Sequence, residues 1–268
     1  MEFHKEYLDL ILVPCGLLIM FAYHLFLLYR YLHRPHTTTK GFEDYDKRAW
    51  VERIMQASTY LDPSLFFSVP LIQSNPLTLS CSCNDQADNR DITTALSVIQ
   101  SNITAATFMA SVSLTVCSLI GAWISNGSNK FFQSDLIYGD INPTSISIKY
   151  ICLLICFLLA FSCFVQSIRH FVHATYLIST PDCRIPVSSV ETAVIRGDHF
   201  WSLGLRALYF ALDLLLWFFG PIPMFVSSLV MVIILHAVDS NSRPLHNTRA
   251  QGSELQKAKL QGYAEIKK

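Results

Sequence analysis

Two residues stand where a charge is costly. Arg206 and Asp213 lie inside a run of 34 residues, 203–236, that is otherwise almost wholly apolar. An ionisable side chain in such a run marks, by default, a transport path or a polar joint between helices. A spacing of seven puts the two on one face of a helix. They could carry an ion across a membrane, close an internal salt bridge, or line a hydrated gap. Histidines form a second set: His24, His170, His173 and His236 lie in or beside apolar segments. His170 and His173, at i and i+3, share a helix face next to Arg169. Histidines on facing helices can ligate a b-type haem. Beside an arginine at a membrane boundary, the amphipathic character of the ring is the simpler reading, and no cofactor or metal is expected. A third set is the uncharged segment 103–124, which holds six Ser and Thr residues and a row of small ones, Ala106, Ala110, Ser113, Cys117 and Gly121. Hydroxyls could pave a conduction path; the small-residue row favours close helix packing instead.

Other chemistries lack their signatures. There is no Ser/His/Asp set, no phosphate-binding glycine loop and no HExxH, so nothing points to a hydrolase or an ATPase. The expectation is a protein that is not an enzyme. Of eight cysteines, Cys15, Cys117, Cys152, Cys156 and Cys163 lie in apolar segments, and Cys81, Cys83 and Cys183 in loops. Without a CxxC pair, neither a zinc site nor a disulfide framework is indicated. Twenty basic residues balance twenty acidic ones, which leaves no basic field for nucleic acid.

The elements that must position these residues are membrane helices. The chain is 51% hydrophobic and 15% charged, against ~25% charged in soluble domains, and its mean hydropathy is +0.36. The charges cluster in a few segments. Between them lie four apolar regions: 10–29, 103–124, 150–168 with its pattern continuing to 178, and 203–236. The first is read as a retained span, because Glu2, Glu6 and Asp9 outnumber Lys5 before it and no small-residue cleavage site follows. The last would be ~51 Å long as one helix, against a hydrocarbon core of ~30 Å. It breaks once, at Gly220-Pro221-Ile222-Pro223, and a hairpin there gives five transmembrane helices rather than four. The fold class is therefore all-α, an integral membrane helical bundle.

Basic residues in short loops stay cytoplasmic. Arg34, Lys40, Lys47, Arg48, Arg53 and Arg90 mark the first loop, and Arg184 and Arg196 the third; the N-terminal segment has Lys5 and the second loop Lys130. Loops one and three are then inside, and the hairpin returns the basic tail to the same side. The expected organisation is a single transmembrane domain over 1–240 with a cytoplasmic loop at 33–102, followed by a polar, disordered tail at 241–268. The bilayer is the expected partner, with a second copy or another membrane protein as further candidates, in the plasma membrane or an endomembrane.

Inside the first loop, 44–56 forms an amphipathic helix with Trp50, Ile54 and Ala57 on one face and Lys47, Arg48 and Arg53 off it. It could lie on the membrane surface or cap the bundle. Pro63, Pro70 and Pro76 argue against a continuous helix beyond it. Gln56-Ala57 recurs as Gln86-Ala87, and excising 58–87 leaves a clean helical pattern, so 58–87 reads as an insertion, a retained intron or variant exon. Residues 181–197 read as a loop.

Three segments, VIQSNITAATFMASVSLTVCSLIG, KYICLLICFLLAFSCFVQSIRHFVHATYLI and FWSLGLRALYFALDLLLWFFGPIPMFVSSLVMVIIL, resemble the plant members of a multi-pass membrane family known only as domain of unknown function 599. The likeness covers most of 8–240, and WFFGPIPM is its most specific part. It implies an integral membrane bundle and carries over no activity and no catalytic residue. The chain departs from the family pattern in the extra residues 58–87 and in Asp213, where an apolar residue or proline is expected. The combined reading is a non-enzymatic structural or adaptor membrane protein, with a small transporter or channel using Asp213 and Arg206 as the alternative.

Overall fold

The computed structural model describes residues 5–59, 76–125, 143–180 and 185–240, with side chains over 9–56, 92–122, 144–180 and 185–240. The described residues form six α-helices and one short 3-10 turn, without a strand: α1 (Lys5–His33), the turn Pro35–Thr37, α2 (Thr39–Thr59), α3 (Pro76–Ser125), α4 (Pro143–Ser179), α5 (Val187–Leu216) and α6 (Pro221–Asp239). Four stretches are long and apolar enough to cross a membrane: Asp9–His33, Ile92–Ala122, Thr144–Ser179 and Pro221–Asp239. Most of each faces outward, as a lipid-facing helix must. Leu18, Phe21, Phe108, Leu119, Ile151, Ile155 and Ile233 are all exposed.

The break at Gly220 is a hairpin. Gly220 has φ 139°, a conformation open to glycine and strained for other residues. Pro221 then occupies the first helical position of α6, where its missing N–H costs no hydrogen bond. Contacts from Asp213 to Ser228 and from Arg206 to Asp239 run α5 and α6 antiparallel.

α5 is the central helix. It packs most extensively on α4 and also touches α2 and α6. Two glycines seven residues apart allow the α4 contact. A Cβ at Gly204 would meet Phe164 Cε1 at 2.7 Å, and one at Gly197 would meet the Phe171 ring at 3.0 Å. Ser167 donates to the Gly197 carbonyl at 2.7 Å. The small-residue row of α3 serves the same end: Ala106, Ala110, Ser113 and Cys117 are buried. Ala110 packs with Ala160 and Phe164 of α4, and Cys117 with Tyr150, Leu153 and Phe157.

α2 caps the bundle. Thr38 precedes it with its hydroxyl oxygen accepting from the Gly41 N–H at 3.2 Å, an N-cap bond. Val51, Ile54 and Met55 then bury against Ala95 and Ile99 of α3, Phe171 and Ala174 of α4, and Val190 and Val194 of α5. Of the two readings of the amphipathic segment, capping is the one observed.

Within the first loop, α2 and the first half of α3 make much of 33–102 helical. α3 begins at Pro76, a position that tolerates proline. Pro63 and Pro70 lie outside the described residues. In the third loop α5 starts at Val187, so Gly197 and Asp198 are helical. In both places helix extends beyond the apolar span because tertiary packing supports it, chiefly the cluster of α2 with the ends of α3, α4 and α5. The tail at 241–268 lies outside the described residues. Its last described neighbour, Ser240, bridges to Thr38, so the chain leaves α6 at the same end of the bundle as the first loop.

Candidate functional site

Asp213 lies in a closed joint. It is 1% exposed. Ser227 and Ser228 of α6 both donate to its carboxylate, Ser228 at 2.5 Å and Ser227 in a shorter contact. On the third side stands α1, where a Cβ at Gly16 would meet Ser228 Oγ at 2.9 Å. The carboxylate therefore fastens α5 to α6 where α1 closes over them.

Arg206, two turns earlier, belongs to a different assembly. It does not pair with Asp213. Its Nη2 donates to both oxygens of Asp239, at 3.3 Å each, and the Tyr23 hydroxyl reaches Asp239 at 3.1 Å. That joins α1, α5 and α6 at the end of the bundle where α2 sits.

The same end holds further polar contacts. Lys40 and Lys47 of α2 both ion-pair with Asp198 of α5, Lys47 at 2.7 Å. Burial, and then the charge of Lys47, push Lys40 down to about 8. Asp44 accepts from the Tyr31 hydroxyl at 2.7 Å, and His199 Nε2 lies 3.0 Å from the same oxygen. Burial works against the charge of Asp44, but the hydrogen bonds from His199 and Tyr31 outweigh it and hold the carboxyl below its ordinary range. Arg48 pairs with Glu191 at 2.7 Å. The opposite end is held by other chemistry: Lys149 lies 5.1 Å over the Trp217 ring, whose Nε1 donates to Asp9 at 3.2 Å.

The remaining sequence-derived candidates do not converge. Arg169 and His173 are exposed, and His170 stacks on Phe200 with ring centroids 5.5 Å apart. His24 and His236 sit around Tyr23 instead. In α3, Thr104, Thr107, Ser111, Ser113, Thr115 and Ser118 each donate to the carbonyl four residues back on their own helix. Hydroxyls satisfied in this way pave no path, and five of the six sit on the outer face.

Between α1 and α5 opens a cavity of about 590 Å³, with Cys156 and Leu159 of α4 and Lys40 of α2 on its rim. Asp213 does not line it; Arg206, His24 and Asp239 do. Sequence reasoning picked Arg206 but missed Asp239, Tyr31, Asp44, Asp198 and His199. Their signal was weak: Tyr31 and Asp239 sit near helix ends, where they read as ordinary boundary residues, and Asp44, Asp198 and His199 lie outside the apolar runs. The partners become visible only once α2 lies across α1 and α5.

Four apolar spans, an antiparallel hairpin and polar groups spent on joining helices define a multi-pass helical membrane protein. The chain belongs to the family described as protein of unknown function DUF599, whose model matches residues 11–62 and 85–244. The residues left unmatched between those two blocks fall inside 58–87. No curated protein and no solved structure matches the chain.

Proposed function

We propose that the protein is a non-enzymatic membrane adaptor, a rigid bundle that holds α2 and the basic loops on one face for partners in or at the bilayer. The observation that carries this reading is the closure of Asp213. A transport carboxylate must meet water or cargo during its cycle. This one is 1% exposed, held by two serines and walled by α1. α2 keeps Glu43, Asp46, Arg48, Arg53 and Gln56 exposed around its buried face, a charged surface suited to a protein partner or to a second copy. Nucleic acid is not among the partners.

α5 serves as a fifth crossing, so the tail and the first loop share the cytoplasmic side; the Thr38–Ser240 bridge supports this. The plasma membrane or an endomembrane of a plant cell is the proposed location. The unmatched stretch in the family alignment supports an insertion at 58–87, and sequencing mature transcripts tests it.

The function test is a flux assay in proteoliposomes with wild type and Asp213→Asn. Neither should exceed empty vesicles for protons, alkali cations or small anions. A flux in the wild type that Asp213→Asn abolishes sinks the adaptor reading and restores the transporter.

A further inference from the structure

We propose that the cavity between α1 and α5 binds a neutral lipid by its hydroxyl group. Its volume of about 590 Å³ falls within the ~300–1,000 Å³ of small-ligand sites. The lining divides by chemistry. Phe21, Leu25, Leu28, Leu159 and Leu203 form its apolar length and are themselves exposed on the outer surface, so the cavity opens sideways, towards lipid. Its polar lining includes His24, Arg206 and Asp239.

Two buried atoms of these side chains, His24 Nε2 and Arg206 Nη1, have no hydrogen-bond partner. Such atoms are costly in an apolar setting, and here both belong to residues that line one cavity. Phe210, one turn on from Arg206, lies against the His24 ring with centroids 5.0 Å apart, which brings the two surfaces together.

The atoms ask for opposite things. His24 Nδ1 is 2.7 Å from the Met20 carbonyl, which can only accept, so Nδ1 carries the proton. In the neutral ring Nε2 then offers a lone pair. Arg206 has committed Nη2 to Asp239, and its Nη1 can only donate. One hydroxyl answers both, donating to Nε2 and accepting from Nη1. A phosphate or carboxylate head would face the His24 lone pair and Asp239 with acceptors alone. An ammonium head would meet Arg206 with like charge. The neighbouring groups do not compete, because Lys40 is taken by Asp198, and Tyr31 and His199 by Asp44. The ligand class is a lipid with a free hydroxyl on an apolar body, either a sterol or a diacylglycerol.

The test uses the full chain in phosphatidylcholine nanodiscs. The probes are a photoreactive, alkyne-tagged sterol and a diacylglycerol built likewise, each as the free alcohol and as its methyl ether. At least one free alcohol should label α1 and α5 peptides saturably, about tenfold more efficiently than its ether, the size of one lost buried hydrogen bond. Which skeleton labels identifies the source. His24→Phe keeps the ring contacts with Tyr23 and Phe210 and should bring alcohol labelling down to the ether level. Leu203→Trp, which touches none of the ion pairs, should block both forms by filling the cavity. Equal labelling by alcohol and ether, no saturable labelling by either skeleton, or stronger competition by phosphatidic acid than by the alcohol overturns the proposal. So does a His24→Phe protein that retains native helicity and labels as well as wild type.

Discussion

Asp213 and Arg206 sit two turns apart on one helix and end in opposite situations. Asp213 is closed in: two serine hydroxyls reach it, α1 covers it, and the cavity between α1 and α5 does not reach it. Arg206 is half-committed. One nitrogen serves Asp239, while the other is buried without a partner in a residue that lines a cavity. A membrane interior makes any unsatisfied polar group expensive. A closed joint therefore marks architecture, and an open one marks a place where something else can bind. The same contrast separates the Asp213 region from the α2 end, where polar residues are many and Lys40, Asp44, Lys47 and Arg48 of α2 all reach partners on another helix.

That contrast can be broken experimentally, and the largest effect should come from the α2 end. Asp198→Ala leaves Lys40 and Lys47 side by side and mostly buried. It should cost about 3 kcal/mol in unfolding free energy measured in mixed micelles; a loss below about 1 kcal/mol would mean that water already solvates the pair. Removing both donors to Asp213, with Ser227→Ala and Ser228→Ala together, should cost about 2–3 kcal/mol by the same measurement. A silent double variant would mean that another group reaches the carboxylate, and the joint would no longer count as closed.

Gly204→Ala comes next. Its Cβ would approach Phe164 at 2.7 Å and 2.9 Å, which should cost about 1–2 kcal/mol through overpacking and lower the melting temperature without changing helicity. A smaller effect should come from pH. The Asp44 carboxyl is held below its ordinary value, so its contribution is fully present above the unfolded pKa and is lost as pH falls through the folded one. Acid titration below about pH 4 should destabilise wild type more steeply than Asp44→Asn; identical slopes would remove Asp44 from the α1–α2–α5 joint. The smallest stability change belongs to His24→Phe, within about 0.5 kcal/mol. That near-neutrality is what makes it a clean probe of the open end, and a large loss would assign His24 to packing.

Much of the architecture was legible because it follows from local rules. Apolar runs long enough to span, the Gly220-Pro221-Ile222-Pro223 break, the small-residue row of α3 and the continuation of α4 past Ile168 all depend on residues near each other in the chain. The start of α5 at Val187 was not legible. Its first turns mix polar residues with Val190, Ala193 and Val194, and they are helical because α2 and α4 cover that apolar side. Nor could the sequence foresee that Gly197 and Gly204 would sit under Phe171 and Phe164, although their spacing of seven was in view.

The two charges that first drew notice show where that limit lies. Periodicity placed Arg206 and Asp213 on one face of one helix, which is a statement about a single cylinder and needs only the rise and turn of its backbone. What stands opposite a face depends on which helices pack there and at what offset. Folding the hairpin set Ser227 and Ser228 against Asp213, and docking α6 on α1 brought Asp239 and Tyr23 to Arg206, from 33 residues one way and the far side of the chain the other. Charge partnership is a long-range property, settled by packing of whole helices rather than by spacing along one of them.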